Sequence, residues 1–327
     1  MIERIKLFVA LGERLLGADQ DPRMASAIEN ACAVNQWFTP MDIKRALSAI
    51  SCDMLQQEKL EKWLEVYDVP DKNPRRVLVV MAGNIPLVGF FDLLCVLVSG
   101  HHCLVKPSAK DRVLMEYIIT LLREIDPAVP VEIYDGHAPI DALIATGSDN
   151  AERYFKTHYS GTPQLLRGTR QSVAVLSGEE TAEELAGLAD DIWAYSGLGC
   201  RNVSLIFAPR NLEVRLQMPP MNPKYTNNYR QTKALLKMNK QPFTDWGHAV
   251  AVEGEEFPTS LSEVVIKRYN TLEEVNDWLA SHDRELQCIV SNCIHHTRCV
   301  GFGMGQSPSL TDYPDEVDVI SWLTLLD

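Results

Sequence analysis

The chain has 327 residues, of which 46% are hydrophobic and 23% charged, so it can form about two globular domains with a full hydrophobic core. Its 31 lysines and arginines against 44 aspartates and glutamates give a net charge of −13, which disfavours a nucleic-acid-binding protein. The N-terminal apolar run is too short for a signal peptide, the longest apolar stretch is too short to span a membrane, and the eight cysteines show no framework spacing. These features predict a cytoplasmic protein with reduced thiols.

The first part of the chain is predicted to be helical. Apolar side chains recur there at helical spacing, and Thr39, Pro40 and Asp42 have the residue types of a helix N-cap and first turn. We expect this part to pack on the core or to form an oligomer contact. A cluster of helix breakers ends it, and later changes of pattern complete a division into four predicted segments. They are residues 1–69, 70–187, 188–300 and 301–327, the last being a tail that returns to the core or to an oligomer interface.

Short β-branched runs alternate with helical patterns after the breaker cluster. Strands are predicted at residues 76–81, 102–106 and 131–134, with helices at 87–99 and 111–125. This alternation predicts a parallel, doubly wound α/β sheet of the Rossmann-like kind, which binds nucleotides at the carboxyl ends of its strands.

The later chain is predicted to form a second α/β domain. Residues 216–229 are rich in proline and asparagine and show no clear period, so we expect them to be irregular. The other predicted elements are helices at residues 183–195 and 272–282 and strands at 205–208, 263–269 and 287–291.

Cys200 is the first candidate for chemistry. It lies between Gly199 and the polar pair Arg201-Asn202, and not on an apolar stripe. A reactive cysteine needs access and a stabilised thiolate, which Arg201 or a helix N-terminus can supply. The alternative is that Cys200 is a small apolar filler, as most cysteines are.

Three turns at the predicted sheet edge are the next candidates, although the G-x-G-x-x-G fingerprint is missing. Asn84 follows the first strand, and its amide can donate to an oxyanion or simply form a turn. Lys106 ends the second strand and can meet a ribose or phosphate, or remain a solvated lysine. Residues 146–149 lead into a helix and can seat a phosphate or only cap that helix.

A group of potential metal ligands near the C-terminus is not expected to bind metal, because its spacing matches no regular zinc pattern. Its members are Cys288, Cys293, His295, His296 and Cys299.

Several of these motifs, in this order, resemble the aldehyde dehydrogenase superfamily. They are most similar to its acyl-CoA reductase family, typified by the reductase subunit of bacterial bioluminescence fatty-acid reductase. The stretch Gly-Cys-Arg-Asn-Val-Ser is fairly specific to these reductases, whereas Val-Lys-Pro-Ser is general to the superfamily. The stretches that carry the resemblance are residues 83–87, 104–111, 147–151, 172–176 and 197–204.

The resemblance implies an aldehyde-dehydrogenase-like fold and a role for each matching residue. Cys200 falls on the nucleophile that takes the acyl group as a thioester, and Asn84 on the residue that holds the oxyanion together with the Cys200 N–H. The remaining matches fall on segments that bind the cofactor's adenosine ribose, pyrophosphate and nicotinamide. They are Lys106, Pro107, Ser108, Thr146, Gly147 and Ser148.

Two departures from the superfamily pattern refine this expectation. The glutamate that activates water in hydrolytic members falls near Arg167, so the acyl-enzyme is expected to receive hydride, or to pass its acyl group to another thiol, instead of reacting with water. A carboxylate common in NAD-preferring relatives is replaced by Ala109, which favours NADPH. The implied function is NADPH-dependent reduction of a fatty acyl-CoA or acyl-protein thioester to an aldehyde.

Other functions stay open at this point. A non-catalytic or scaffold homologue that binds an acyl-protein synthetase is one, because the chain is short for this family and residues 216–229 are predicted to be irregular. An acyl-phosphate reductase is another. Superfamily members usually self-associate, so a homo-oligomer is expected by analogy.

Overall fold

The computed structural model describes residues 2–17, 21–69, 74–147 and 149–326. The chain forms two compact units, Met1–Thr169 with Pro308–Asp327 and Arg170–Ser307. This division differs from the predicted segments 70–187 and 188–300, because residues just after 170 hydrogen-bond into the sheet of the second unit. The predicted boundary at residue 70 lies outside the described residues.

The start of the first unit is helical, as predicted. Thr39 caps one of these helices by accepting a hydrogen bond from the Asp42 N–H at 3.1 Å, with Pro40 in the first turn, which confirms the predicted helix start. Phe8 and Leu11 are fully buried in the core of this unit. The described helices here are α1 (Ile2–Leu16), α2 (Pro22–Val34), α3 (Pro40–Ala49), which continues into a π-helical turn, and α4 (Gln57–Leu64).

A five-stranded sheet follows, with every strand pair parallel. The strands are β1 (Arg76–Val80), β2 (His102–Lys106), β3 (Val131–Ile133), β4 (Ala142–Thr146) and β5 (Gln164–Arg167), in the order β3-β2-β1-β4-β5. The helices between them are α5 (Phe90–Val98), α6 (Arg112–Ile125) and α7 (Asp149–His158). The central strand is buried on both faces, so its run of valine and leucine suits a strand between two helical layers. The predicted doubly wound sheet is confirmed, and the carboxyl ends of its strands share one edge.

The second unit contains a seven-stranded sheet that is parallel except for its last pair. Its strands are β6 (Gln171–Val175), β7 (Val203–Pro209), β8 (Thr244–Asp245), β9 (Val250–Glu253), β10 (Glu263–Tyr269), β11 (Leu286–Val290) and β12 (Cys299–Val300), in the order β12-β11-β6-β7-β10-β9-β8. Its helices are α8 (Ala182–Trp193), α9 (Pro223–Met238) and α10 (Leu272–Ser281). The predicted second α/β domain is therefore present in the fold.

One predicted element is wrong. Residues 216–229 were expected to be irregular, but helix α9 begins at Pro223. Asn222 caps it by accepting a hydrogen bond from the Lys224 N–H at 2.7 Å. The buried residues of its first half are Tyr225 and Tyr229, so a search for aliphatic spacing misses the start of this helix.

The C-terminal part of the chain belongs to the first unit. Its helix, α11 (Val319–Thr324), is held there by the buried His101. His101 Nδ1 accepts from the Arg75 N–H at 3.1 Å, so Nε2 carries the proton and donates to the Leu323 carbonyl at 3.1 Å. Burial lowers the pKa of His101, which favours this neutral form. Among the described helices, none is both long enough and apolar enough to cross a membrane.

Candidate active site

Cys200 lies on the turn between α8 and β7, and its side chain is exposed. The Ser172 hydroxyl donates to the Cys200 carbonyl at 2.8 Å and fixes its backbone against strand β6. The chain reaches this turn through Tyr195, Ser196 and Gly197, with φ angles of 53°, 57° and 70°. Left-handed backbone costs a residue other than glycine roughly 1–2 kcal/mol, so this reversal needs other interactions to hold it.

The buried side chain of Asn202 supplies those interactions. Its Nδ2 donates to the carbonyls of Asp191, Ile192 and Ala194 at 3.0–3.2 Å, at the end of α8. Its Oδ1 accepts from the Gly199 N–H at 2.8 Å. Carbonyls at a helix end lack hydrogen-bond partners within the helix. The Asn202 amide bonds these carbonyls and also bonds the Gly199 N–H in the cysteine turn, the turn that carries Cys200.

Arg201 makes contacts that the sequence did not predict. Its Nε donates to the Gly305 carbonyl at 2.5 Å, and its Nη2 lies 3.6 Å from Cys288 Sγ. The guanidinium thus ties the turn to residues 301–305 and to a buried thiol in β11. The structure gives Arg201 an anchoring role next to Cys200.

Asp191 completes the attachment of residues 301–305. This fully buried carboxylate accepts from the N–H groups of Gly303 and Gly305 at 2.7 and 2.8 Å. Burial raises the pKa of Asp191 to about 6, against the opposing effect of these two hydrogen bonds. The helix that precedes Cys200 and the segment that binds Arg201 are therefore joined by one side chain.

The first unit brings most of the other predicted residues to one sheet edge. Asn84 is half-buried in the turn after β1. A Cβ on the preceding Gly83 would lie 2.6 Å from the Ser108 side chain, so only glycine lets these turns pack so closely. Lys106 is exposed where β2 ends, followed by the half-buried Pro107.

The end of β4 supplies the last predicted residues. Thr146 accepts a hydrogen bond at 3.4 Å from the Arg167 guanidinium, and the Gly147 N–H donates to the Arg167 carbonyl at 3.1 Å. Ser148, the remaining predicted cofactor residue, lies outside the described residues. Cys200 belongs to the second unit, and the roles proposed for all these residues remain predictions.

A buried ion pair at this edge was not predicted. Arg167 Nη1 donates to both carboxylate oxygens of Asp92 at 2.7 and 2.8 Å, and both residues are 5% exposed. The sequence contains an indication of this ion pair. Asp92 is the one charged residue in the apolar helix α5, and a buried carboxylate needs a partner. Arg167 falls near the position of the water-activating glutamate in the superfamily resemblance, and here its guanidinium is bonded to Asp92.

Members of the cysteine and histidine group near the C-terminus lie in different surroundings. Cys288 is buried in β11, while Cys293 contacts the Ser291 hydroxyl at 3.3 Å. Within the described part of the chain, no three His, Cys, Asp or Glu side chains are arranged to hold a metal ion.

Comparison with known families bears on the whole region that contains these residues. The sequence profile of the acyl-CoA reductase (LuxC) family matches residues 18–216, more than half of the chain. The chain belongs to the acyl-CoA reductase (LuxC) family. This LuxC-family match includes the turn of Asn84, the β2 and β4 ends and Cys200.

A relative agrees with this assignment, and solved structures share the fold. A long-chain acyl-protein thioester reductase of Vibrio harveyi is 23% identical to this LuxC-family protein over 64% of this chain and 52% of its own length. This chain therefore spans about half of that relative. An aldehyde dehydrogenase of Mycobacterium tuberculosis, solved with NAD+, has a TM-score of 0.63 at 14% identity over 88% of this chain and 72% of its own. An oxidoreductase of Marinobacter aquaeolei has a TM-score of 0.66 at 12% identity over 99% and 84%. The aldehyde-dehydrogenase-like fold is thus confirmed.

Asn202→Asp should destabilise the protein strongly. The substitution places a carboxylate oxygen against three carbonyl oxygens, and a buried charge without a partner costs about 3–5 kcal/mol. Asn202→Ala, which only removes the hydrogen bonds, should cost about 1–3 kcal/mol. Chemical unfolding gives both values, with Asn239→Ala, a change at an exposed asparagine, as the control. Wild-type stability in Asn202→Asp would contradict the role given to this amide.

Proposed function

We propose that this protein reduces a long-chain acyl thioester to an aldehyde with a nicotinamide cofactor, and that Cys200 is its nucleophile. The observation that carries the proposal is an exposed cysteine on a turn held rigidly by Asn202, inside the region matched by the acyl-CoA reductase family. The name of the Vibrio harveyi relative supports a long acyl chain and a thioester donor.

The cofactor is proposed to bind at the carboxyl edge of the five-stranded sheet. The parallel sheet, the close approach that Gly83 allows and the exposed Lys106 suit a dinucleotide there. Lys106, Pro107 and Ser108 would hold the adenosine ribose, and Thr146, Gly147 and Ser148 would lie beside the pyrophosphate and nicotinamide. When bound, the cofactor supplies hydride.

NADPH is the proposed form of the cofactor. Ala109 and Lys110 are both exposed after the β2 end, so this segment presents a positive charge and no carboxylate. A 2′-phosphate is attracted by the lysine and meets no negative charge from the alanine. The Mycobacterium tuberculosis aldehyde dehydrogenase was solved with NAD+. The preference for NADPH is therefore proposed from the residues of this chain and not from that structure.

The chain's own residues would act in a defined order. The Cys200 thiolate attacks the thioester carbonyl carbon, a sulfur–carbon bond forms, and the donor thiol leaves with a proton from solvent. The amide of Asn84 and the Cys200 N–H would stabilise the oxyanion. The position near which the water-activating glutamate would fall holds Arg167, whose guanidinium is bonded to Asp92, so the acyl group would remain on Cys200 until it is reduced.

The donor thiol and the assembly of the protein belong to this proposal too. Both a CoA thioester and a protein-bound thioester fit the chemistry, and the relative named as an acyl-protein thioester reductase favours the protein-bound donor. An acyl-protein synthetase partner, a homo-oligomer and a cytoplasmic location, where Cys200 stays reduced, remain predictions. The scaffold alternative loses one of its reasons, since Pro223 begins a regular helix.

Covalent labelling tests the nucleophile. Incubation with a radiolabelled palmitoyl-CoA should label the wild-type protein, and Cys200→Ser should remove the label at neutral pH. Cys52→Ser is the matched control, because Cys52 is also exposed. A label that survives in Cys200→Ser, or disappears in Cys52→Ser, would contradict the assignment.

A charge change tests the cofactor preference. Ala109→Glu should weaken NADPH binding about tenfold or more, because a carboxylate near a 2′-phosphate costs at least about 1.4 kcal/mol at close range. Ala109→Gln has the same size without the charge and should bind NADPH nearly as the wild type does. Fluorescence titration gives both dissociation constants, and equal values for the two variants would show that residue 109 does not set the preference.

A further inference from the structure

The turn that carries Asn84 contains a strained residue. Leu87 has a φ of 56°, in the left-handed region, and its side chain is 3% exposed. Leucine has no polar side-chain atom to favour this conformation, which costs it roughly 1–2 kcal/mol. Some interaction from outside the turn must therefore hold Leu87, three residues after Asn84.

Asp111 provides that interaction. It precedes α6 at the N-cap position, yet its side chain makes no capping hydrogen bond to the helix. Instead its Oδ2 accepts from the Leu87 N–H at 2.8 Å. An aspartate at a helix start normally caps its own helix, so this orientation gives up a local interaction for a contact 24 residues away.

The surroundings of Asp111 exclude water from this contact. The residue is 2% exposed, and its Oδ1 has no hydrogen-bond partner among the described residues. Burial raises the pKa of Asp111 to about 8, so the carboxyl group is mostly neutral at neutral pH. A neutral carboxyl still accepts through its carbonyl oxygen, and no water competes with Leu87 for it.

A second contact fixes the other side of the same turn. A Cβ on Gly83 would lie 2.6 Å from the Ser108 side chain and 3.3 Å from Asp111 Cβ. Asn84 therefore lies between two anchored residues. Gly83 packs against the segment that contains Ser108 and Asp111, and the Leu87 N–H donates to Asp111. Both anchors of the turn come from the segment between β2 and α6.

We propose that Asp111 is a positioning residue for Asn84: by binding the Leu87 N–H it holds the turn in the strained conformation that directs the Asn84 amide. The proposal rests on the proposed function, in which Asn84 stabilises the oxyanion formed at the substrate carbonyl. Asp111 itself touches neither substrate nor cofactor in this account.

The test compares Asp111→Asn with Asp111→Ala in the full-length protein. Asparagine keeps an acceptor for the Leu87 N–H and matches the neutral carboxyl, whereas alanine removes it. Single-turnover acylation of Cys200 by palmitoyl-CoA should slow about tenfold or more in Asp111→Ala, as when an oxyanion donor is misplaced, and stay within about threefold of wild type in Asp111→Asn. The dissociation constant for NADPH should change little in both variants. Hydrogen exchange at the Leu87 amide should accelerate only in Asp111→Ala.

A second substitution at Leu87 distinguishes a positioning role of Asp111 from a general loss of structure. Leu87→Gly and Leu87→Ala both remove the buried side chain, but glycine alone adopts a left-handed φ without strain. The acylation defect of Asp111→Ala should therefore be smaller in the Leu87→Gly background than in the Leu87→Ala background. If Asp111 only stabilised the fold, Asp111→Ala would slow acylation equally in the two Leu87 backgrounds.

The outcomes distinguish the two proposals. If the wild type acylates Cys200 and Asp111→Ala acylates equally fast, or Asp111→Asn slows as much as Asp111→Ala, the positioning role is overturned and the proposed function stands. Unchanged Leu87 exchange in Asp111→Ala also overturns it. If the wild type forms no acyl-enzyme, the proposed function fails and the role fails with it, whatever the exchange data show.

Discussion

The hydrogen bonds of the Asn202 side chain are the interaction on which the cysteine turn depends. After α8 the chain reverses through three left-handed residues, two of which are not glycine. Strained backbone of this kind persists only where several surrounding contacts hold it in place. The Asn202 amide meets this need by satisfying the end of α8 and closing the turn around Cys200 with a single buried group. The exposed thiol is consequently carried on rigid backbone, which suits a nucleophile that must meet a carbonyl carbon in a defined direction.

The first unit also contains a strained turn that carries a proposed catalytic residue. Its parallel strands place several turns at one sheet edge, and one of them, the turn of Asn84, has left-handed backbone at Leu87. A glycine at position 83 and a buried carboxyl at position 111 hold that turn from its two sides. In both units, then, a strained turn that carries a proposed catalytic group is held by a buried polar side chain that has no catalytic role of its own.

The sequence allowed most of the architecture to be predicted, because alternating β-branched runs and helical periods report burial directly. Strand β2 and strand β10 were predicted with the bounds that the structure shows, and the Thr39 cap was read from residue types alone. Helix α9 is not predicted from the sequence because the buried residues of its first half are tyrosines and because Asn222-Pro223 at its start has the residue types of a loop.

The supporting side chains of the candidate site were harder to predict than its reactive residues. Cys200 and Asn84 lie in short motifs that residue types and resemblance mark out. The partners of Asp111 and Asp92 lie 24 and 75 residues away in the chain, so no local pattern identifies them. Asn202 stood beside the candidate cysteine, but its bonds to α8 follow from a left-handed reversal that sequence periodicity does not reveal.

We propose that an acyl group transferred to Cys200 stays there until hydride reduces it, because Arg167 stands near the position of the glutamate that would activate water. Its most direct test is to form the acyl-enzyme with palmitoyl-CoA, remove excess thioester, and follow the Cys200 peptide and the released lipid by mass spectrometry. The adduct should persist in buffer, and its acyl group should leave as hexadecanal when NADPH is added. Rapid release as palmitic acid without NADPH, or no adduct on Cys200, would contradict it.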